Sequence, residues 1–386
     1  MANTNDVTPV HPLKYGLIGC GRFGIFCLEQ LQDWERIQPV AATDIITSLA
    51  EAVAERFDLA AYATREELLA HPELDLVLIS TPPNTHYQLA LQALQAGKHV
   101  ICEKPLALTV DQADELIATA AATGRLLAVN HMLRYSQIAE AVHFIVQSKV
   151  LGEPLHFFFE NYAEDERLPL DHWFWDPRTS GGIFIEHAVH FFDLYRWWIG
   201  PGVVTAAHEE PRPGTGQIDR VWCAERHQNG VLGQQYHGFD QPVRLDRAEH
   251  RIVFERGDLT MVGWIPVELR LNGIVDDAQQ SRLATLCRSC GLQVVEHYED
   301  TQQLCKGRGN QYHVTAKVKL DWELTEDRGL IYGNMIRALL VDQLLVLDDP
   351  THTPRLTAHD AREAVAMAVE ATKLAQSVEV SYGATS

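Results

Sequence analysis

Apolar and polar positions in the first 134 residues follow two alternating periods. Short apolar runs at 15–18, 40–43, 75–80, 99–102 and 126–129 are separated by helical apolar spacing at 22–34, 48–57, 84–96 and 110–121. The stretch Leu76-Val77-Leu78-Ile79 has no polar break, the mark of a strand buried on both faces, as in parallel sheets. Strands alternating with helices of this length predict a doubly wound parallel sheet. After Arg134 an amphipathic helix is expected to about residue 148, ended by Gly152 and Pro154. The texture then changes to strand-like runs at 155–159, 221–225, 231–236, 251–255, 259–262 and 314–319, with few helical patterns between them. The stretch 201–217 is rich in Pro and Gly and reads as a loop. A closing helix is expected over 358–377 with Thr357 as its N-cap. Residues 272–313 carry no readable pattern.

The resulting fold class is α/β followed by α+β. Residues 12–134 are expected to form a Rossmann-type parallel-sheet domain. Residues 135–386 are expected to form a second domain on a mainly antiparallel, open-faced sheet. An open face needs covering, so a homodimer or homotetramer through that sheet is expected.

Composition narrows the partners. A length of 386 residues suits two domains. Apolar residues at 46% and charged residues at 22% fit an ordinary globular chain. The 32 Lys and Arg against 52 Asp and Glu give a net charge of -20, which repels phosphate backbones and argues against a nucleic-acid partner. No apolar run approaches the roughly 18 residues of a membrane helix. Residues 1–12 lack the basic start and apolar centre of a signal peptide. The expectation is a cytoplasmic protein with no membrane partner. Seven scattered cysteines fit a reducing compartment. Cys287 and Cys290 have CxxC spacing, with Cys305 further on, but no second pair follows. Free thiols are expected and no metal site.

The segment Gly19-Cys20-Gly21-Arg22-Phe23-Gly24 places GxGxxG between a predicted strand and a predicted helix. In that setting Gly19 permits the tight turn and Gly21 lets the backbone approach a pyrophosphate. Gly24 allows close helix–strand packing, and the helix N-terminus offers N–H groups to the anion. Asp44 ends the second strand. A carboxylate there accepts hydrogen bonds from the ribose hydroxyls of NAD and repels the 2′-phosphate of NADP. Ile45, Ile46 and Thr47 follow with no cation, which favours NAD over NADP. The bland alternative for Asp44 is a solvated carboxylate at a strand end.

Two further segments carry candidate chemistry. In Gly97-Lys98-His99-Val100-Ile101-Cys102-Glu103-Lys104-Pro105, a Lys follows a parallel strand at the carboxyl edge where such sheets bind ligands. In Gly181-Gly182-Ile183-Phe184-Ile185-Glu186-His187-Ala188-Val189-His190, Glu186 and His190 are four apart and share a helix face. These segments resemble the glucose–fructose oxidoreductase and inositol dehydrogenase family (Gfo/Idh/MocA), as do residues 80–107 and the closing helix.

The resemblance implies an NAD(P)-dependent oxidoreductase acting on a secondary alcohol or ketone of a sugar, inositol or related polyol. It implies a cis bond before Pro105, Lys104 and His190 as catalytic residues, and cofactor contacts from Thr81, Pro82, Asn84, His86, Glu103 and Lys104 beside Gly19 to Gly24 and Asp44. The sequence departs from the family pattern where Glu186 replaces the usual Asp and Ala188 the usual Gly. Alcohol oxidation needs a base for the proton and a donor for the alkoxide. His190 takes the first role, Lys104 the second, and Glu186 orients the pair. Asp193 reads as a structural partner. The substrate pocket is expected between the domains, with Asn130, His131 and Arg134 lining it. Trp175 would stack on a sugar face, while Trp197 and Trp198 read as core. A dinucleotide-binding sensor without turnover is the alternative.

Overall fold

The computed structural model describes residues 12–286 and 291–377. The chain divides into two compact units. One runs to His131 and takes in Ile336–Arg362; the other runs Met132–Met335 and resumes at Glu363.

In the first unit six strands alternate with five helices. They are β1 (Leu13–Ile18), α1 (Arg22–Leu31), β2 (Ile37–Thr43), α2 (Thr47–Phe57), β3 (Ala60–Tyr62), α3 (Arg65–Leu69), β4 (Leu76–Ile79), α4 (Pro83–Gln95), β5 (His99–Cys102), α5 (Val110–Thr123) and β6 (Leu127–Val129). The strand order is β3-β2-β1-β4-β5-β6 and every pairing is parallel. All four residues of β4 are buried, as the unbroken apolar run requires. The order reverses between β1 and β4. The carboxyl ends of those two strands therefore flank the crevice where open α/β sheets take ligands. The short β3 and α3 left no readable pattern; α3 is fixed by a capping box between Thr64 and Glu67.

The second unit opens with α6 (Gln137–Ser148) and continues through β7 (Pro154–Glu164), α7 (Pro177–Ser180), α8 (Val189–Ile199), β8 (Gly202–Pro211), β9 (Ile218–His227), β10 (Leu232–Gln241), β11 (Arg247–Phe254), β12 (Gly257–Val262) and β13 (Glu268–Val275). It then runs through α9 (Asp277–Leu286), β14 (Leu292–His297), β15 (Leu304–Gly307), β16 (Asn310–His313) and β17 (Ala316–Glu323). Nine strands form one sheet, ordered β14-β17-β13-β12-β11-β7-β10-β9-β8, and β15 pairs with β16 alone. In the large sheet β7 and β10 are parallel; the other pairings are antiparallel. The chain closes with α10 (Arg328–Asp348) and α11 (Ala358–Gln376). Thr357 caps α11 as expected, its hydroxyl accepting from the Asp360 N–H at 3.2 Å while the Asp360 carboxylate accepts from the Thr357 N–H at 2.9 Å.

Helix α8 is apolar almost all round, which marks a buried helix. Phe191 stacks on Phe159 of β7 with centroids 3.9 Å apart, and Tyr195 on Phe157 at 3.8 Å. Trp198 is fully buried and donates its indole N–H to the carbonyl of Ala139 at 3.0 Å. Three stacked or bonded aromatics one helical turn apart thus lock α8 against β7 and α6. The position of His190 follows from that packing.

Two expectations are corrected. The stretch 201–217 is not one loop: Gly202–Pro211 is an edge strand paired with β9. Its glycines and prolines bracket the strand or follow it, and an edge strand tolerates them there. Second, α10 is long and apolar enough to cross a membrane by length and composition. Arg337 and Asp342 lie within its apolar stretch. Its Ile331, Met335, Ile336, Leu339, Leu340 and Leu344 are buried in the protein. Cys287 and Cys290 lie outside the described residues. Among the described residues no group of three or more His, Cys, Asp or Glu is placed to hold a metal.

Candidate active site

The glycine turn joins β1 to α1. Gly19 has φ +98°, and a Cβ there would lie 2.2 Å from the carbonyl oxygen of Ser80, at the end of β4. A Cβ on Gly24 would lie 2.3 Å from the Gly19 carbonyl. Both positions therefore exclude a side chain. Gly21 differs: a Cβ there would meet nothing within 4 Å. It precedes α1 without any side-chain hydrogen bond to the first turn, so no cap side chain competes with an anion for those N–H groups. Arg22 is exposed and Phe23 half-buried beside it.

Asp44 stands at the end of β2 and holds this turn in place. One carboxylate oxygen accepts the Cys20 N–H at 2.8 Å, and the other accepts the Ile46 N–H at 2.8 Å. A carboxylate has about four lone-pair sites, so acceptor capacity remains for ribose hydroxyls. Cys20 itself is inert: burial, with the Asp44 charge adding to it, pushes its thiol up to about 12. Ile45 and Ile46 are exposed. These residues fit a dinucleotide: a glycine that leaves room at its Cα, an uncapped helix N-terminus and an acceptor at the adjacent strand end.

The loops after β4 and β5 are tied together by His86. Its ring is fully buried, with Nδ1 2.7 Å from the Pro105 carbonyl oxygen and Nε2 2.8 Å from that of Thr81. Both ring nitrogens thus face backbone carbonyls, and His86 sets the shape of these two loops. Thr81 also shares a 2.7 Å hydrogen bond with Thr85. Pro82 is half-buried and Asn84 exposed at the start of α4. The Lys104–Pro105 peptide is cis, as the resemblance implied, and Lys104 is half-buried. The Asn130 amide donates to the Glu103 carboxylate. His131 is buried.

In the second unit, Arg134 and Asp193 form a buried bidentate pair. The guanidinium expected to meet substrate is spent on Asp193, which takes the structural role expected of it. Trp175 is likewise engaged. Its indole N–H donates to the Leu168 carbonyl at 3.0 Å, and the Arg212 guanidinium lies 4.8 Å from its ring centroid. Phe184–Ala188 forms a π-helical turn ahead of α8, a local widening often found at functional sites. Glu186 sits in it, half-buried, with the His172 ring near enough for its charge to act on that imidazole. Burial is the larger effect and holds His172 below the ordinary histidine range.

His190 is buried at the start of α8. Its ring meets Trp264 edge to face, with centroids 5.8 Å apart and planes at 87°. Trp264 in turn meets Tyr332 at 5.7 Å. Neither His172 nor Trp264 was singled out from sequence. Trp264 lies in a short connection with no motif, whereas the nearness of His172 to Trp175 was a usable signal.

Comparison with known proteins agrees with this arrangement. The family described as "Oxidoreductase family, NAD-binding Rossmann fold" matches residues 13–131, and the "GFO/IDH/MocA C-terminal domain" matches 139–260. A myo-inositol 2-dehydrogenase of Thermotoga maritima is 27% identical over 253 residues, 62% of this chain and 74% of that protein. A 1,5-anhydro-D-fructose reductase of Ensifer adhaerens is 30% identical over 243 residues, 58% of this chain and 69% of that protein. The solved structure of a levoglucosan dehydrogenase with NADH and levoglucosan has TM-score 0.73 at 18% identity, covering 95% of this chain and 97% of that one. With the two models together matching well over half of the chain, it belongs to the Gfo/Idh/MocA family of NAD-binding oxidoreductases.

Proposed function

We propose that this oxidoreductase moves a hydride between NAD and a secondary alcohol or ketone of a sugar, inositol or related polyol. The observation that carries the cofactor half is the turn at Gly21. There the backbone is bare, α1 has no capping side chain, and Asp44 grips the Cys20 N–H while keeping acceptor capacity. The absence of a cation at residues 45–47 supports NAD over NADP. The inositol, anhydrofructose and levoglucosan enzymes among the relatives and neighbours support the polyol class.

NAD, when bound, supplies the hydride acceptor. The chain supplies the proton chemistry and the charge stabilisation. His190 is assigned as the base that takes the hydroxyl proton, since a neutral imidazole ring nitrogen can accept a proton and return it. Lys104 is assigned as the cation that holds the same oxygen as negative charge develops, a role worth about 2–4 kcal/mol for comparable donors. Glu186 orients the histidine from the preceding π-turn; its extra methylene relative to Asp suits the wider turn. Thr81, Pro82, Asn84 and Glu103 remain the proposed cofactor loops. Arg134 and Trp175 are not carried into the substrate set, because each is engaged within the protein; Asn130, whose Oδ1 is buried with no hydrogen-bond partner among the described residues, and His131 stay in it.

A homodimer or tetramer through the open sheet face remains the proposed assembly, with Tyr162 and Tyr236, 5.2 Å apart, among its half-buried aromatics. The free, buried thiols of Cys20, Cys27, Cys102 and Cys223 support a reducing, cytoplasmic setting. Calorimetric titration with NAD and NADP tests the cofactor half: NAD should bind at least tenfold tighter. Equal affinity would contradict the role given to Asp44.

A further inference from the structure

We propose that Trp264 is the specificity-determining wall of the substrate site, an indole that packs on the C–H face of a ring-shaped polyol or sugar and so selects rings over open chains. The inference rests on the reading of His190 as the base that meets substrate.

Four observations converge on Trp264. Its ring meets that of His190 edge to face, with centroids 5.8 Å apart. It is only half-buried, so part of its surface stays open to a ligand. Its indole N–H has no acceptor among the described residues, unlike the N–H groups of Trp175 and Trp198, which bond to the carbonyls of Leu168 and Ala139. Its backbone is tightly held. The preceding Gly263 has φ +99°, and a Cβ there would lie 2.5 Å from the Ile265 carbonyl. Gly263 donates its N–H to Ala248 at 2.8 Å, and Val267 donates to Val262 at 3.0 Å, closing the turn between β12 and β13. Tyr332 braces the indole from α10.

A rigid indole with an outward surface and an unused donor beside a base is built to contact a ligand with both apolar and hydroxyl character. A ring polyol has both: axial C–H groups for the indole face and hydroxyls for the N–H. An open-chain polyol cannot present the same flat C–H surface without freezing its rotamers.

The test compares wild type, Trp264→Leu and Trp264→Phe on myo-inositol, levoglucosan and D-glucose as rings and on sorbitol as an open chain. Thermal unfolding monitors the fold. The leucine variant should raise KM at least tenfold for the preferred ring substrate while kcat stays within about threefold. It should leave kcat/KM for sorbitol within about threefold, and phenylalanine should recover much of the ring preference. Unchanged KM, or equal loss for ring and open-chain substrates, overturns the proposal. Should wild type turn over none of these, the proposed function fails separately. Calorimetric binding of myo-inositol to the NADH-loaded proteins then decides on Trp264. Binding by wild type that is lost in the leucine variant upholds it; equal binding, or none in either, overturns it.

Discussion

Arg134 and Asp193 meet through two hydrogen bonds, Nε to Oδ2 at 2.8 Å and Nη2 to Oδ1 at 2.6 Å, with both side chains almost wholly buried. A pair this enclosed gives little net stability when intact, but breaking one side strands a charge. Asp193→Ala should cost about 3–5 kcal/mol of stability, read as a shifted midpoint in urea unfolding. Asp193 also shares α8 with His190, so activity should fall with the fold rather than ahead of it. A stable Asp193→Ala protein with selectively lost kcat would contradict the structural assignment.

The glycines separate into two kinds. Gly19→Ala would drive a methyl into the Ser80 carbonyl at a positive φ, and the protein should express poorly or unfold early. Gly21→Ala meets nothing within the chain. Its unfolding temperature should stay within about 2 °C of wild type while dinucleotide affinity falls at least tenfold, measured by calorimetry. Gly21→Ala binding NAD normally would remove the cradle from the account.

Acid should weaken the fold through buried histidines in the second unit. Burial, with His237 adding to it, holds His250 at about 3; His237, buried too and beside His187, is also pushed well down. Both are neutral when folded, whereas an unfolded histidine takes a proton near pH 6.5. The unfolded state therefore binds more protons below that pH, so their stabilisation is full above about 6.5 and lost as pH falls beneath it. Between pH 7.5 and 5.5, His250 alone accounts for about 1.4 kcal/mol, and His237 acts in the same sense. Urea unfolding at the two pH values checks this. His250→Phe should flatten the dependence, and an unaltered slope would show that the network does not titrate on unfolding.

Asp44→Asn leaves one acceptor oxygen for the Cys20 and Ile46 N–H groups and removes the charge. NAD affinity should drop about tenfold or more, with a smaller loss for NADP, so their ratio narrows. A ratio unchanged in matched titrations would mean that Asp44 only braces the turn.

Much of the first unit was legible because each layer speaks in its own period. The unbroken Leu76–Ile79 run, the helical spacing before Gly97 and the glycines before Arg22 each point to one arrangement. The second unit was legible in its strands but not in their edges. Residues 202–211 were hidden because prolines and glycines bracketing a strand look like those of a loop. The return of Ile336–Arg362 to the first unit leaves no local signal, since pairing between distant segments is not written in periodicity. At the site, residue types were readable but partners were not. Arg134 looked free until Asp193 stood beside it, and Trp264 carried no motif until its ring lay on His190.

The central claim is polyol oxidation by this chain with NAD, dependent on His190 and Lys104. The direct measurement is absorbance at 340 nm with NAD and a panel of inositols, sugars and sugar acids, run on wild type, His190→Ala and Lys104→Met. The account predicts NADH formation with a ring polyol by wild type, lowered at least about a hundredfold in each variant while NAD binding by His190→Ala is retained. Turnover that survives in both variants, or tight NAD binding with no turnover of any polyol or matching ketone, would contradict it.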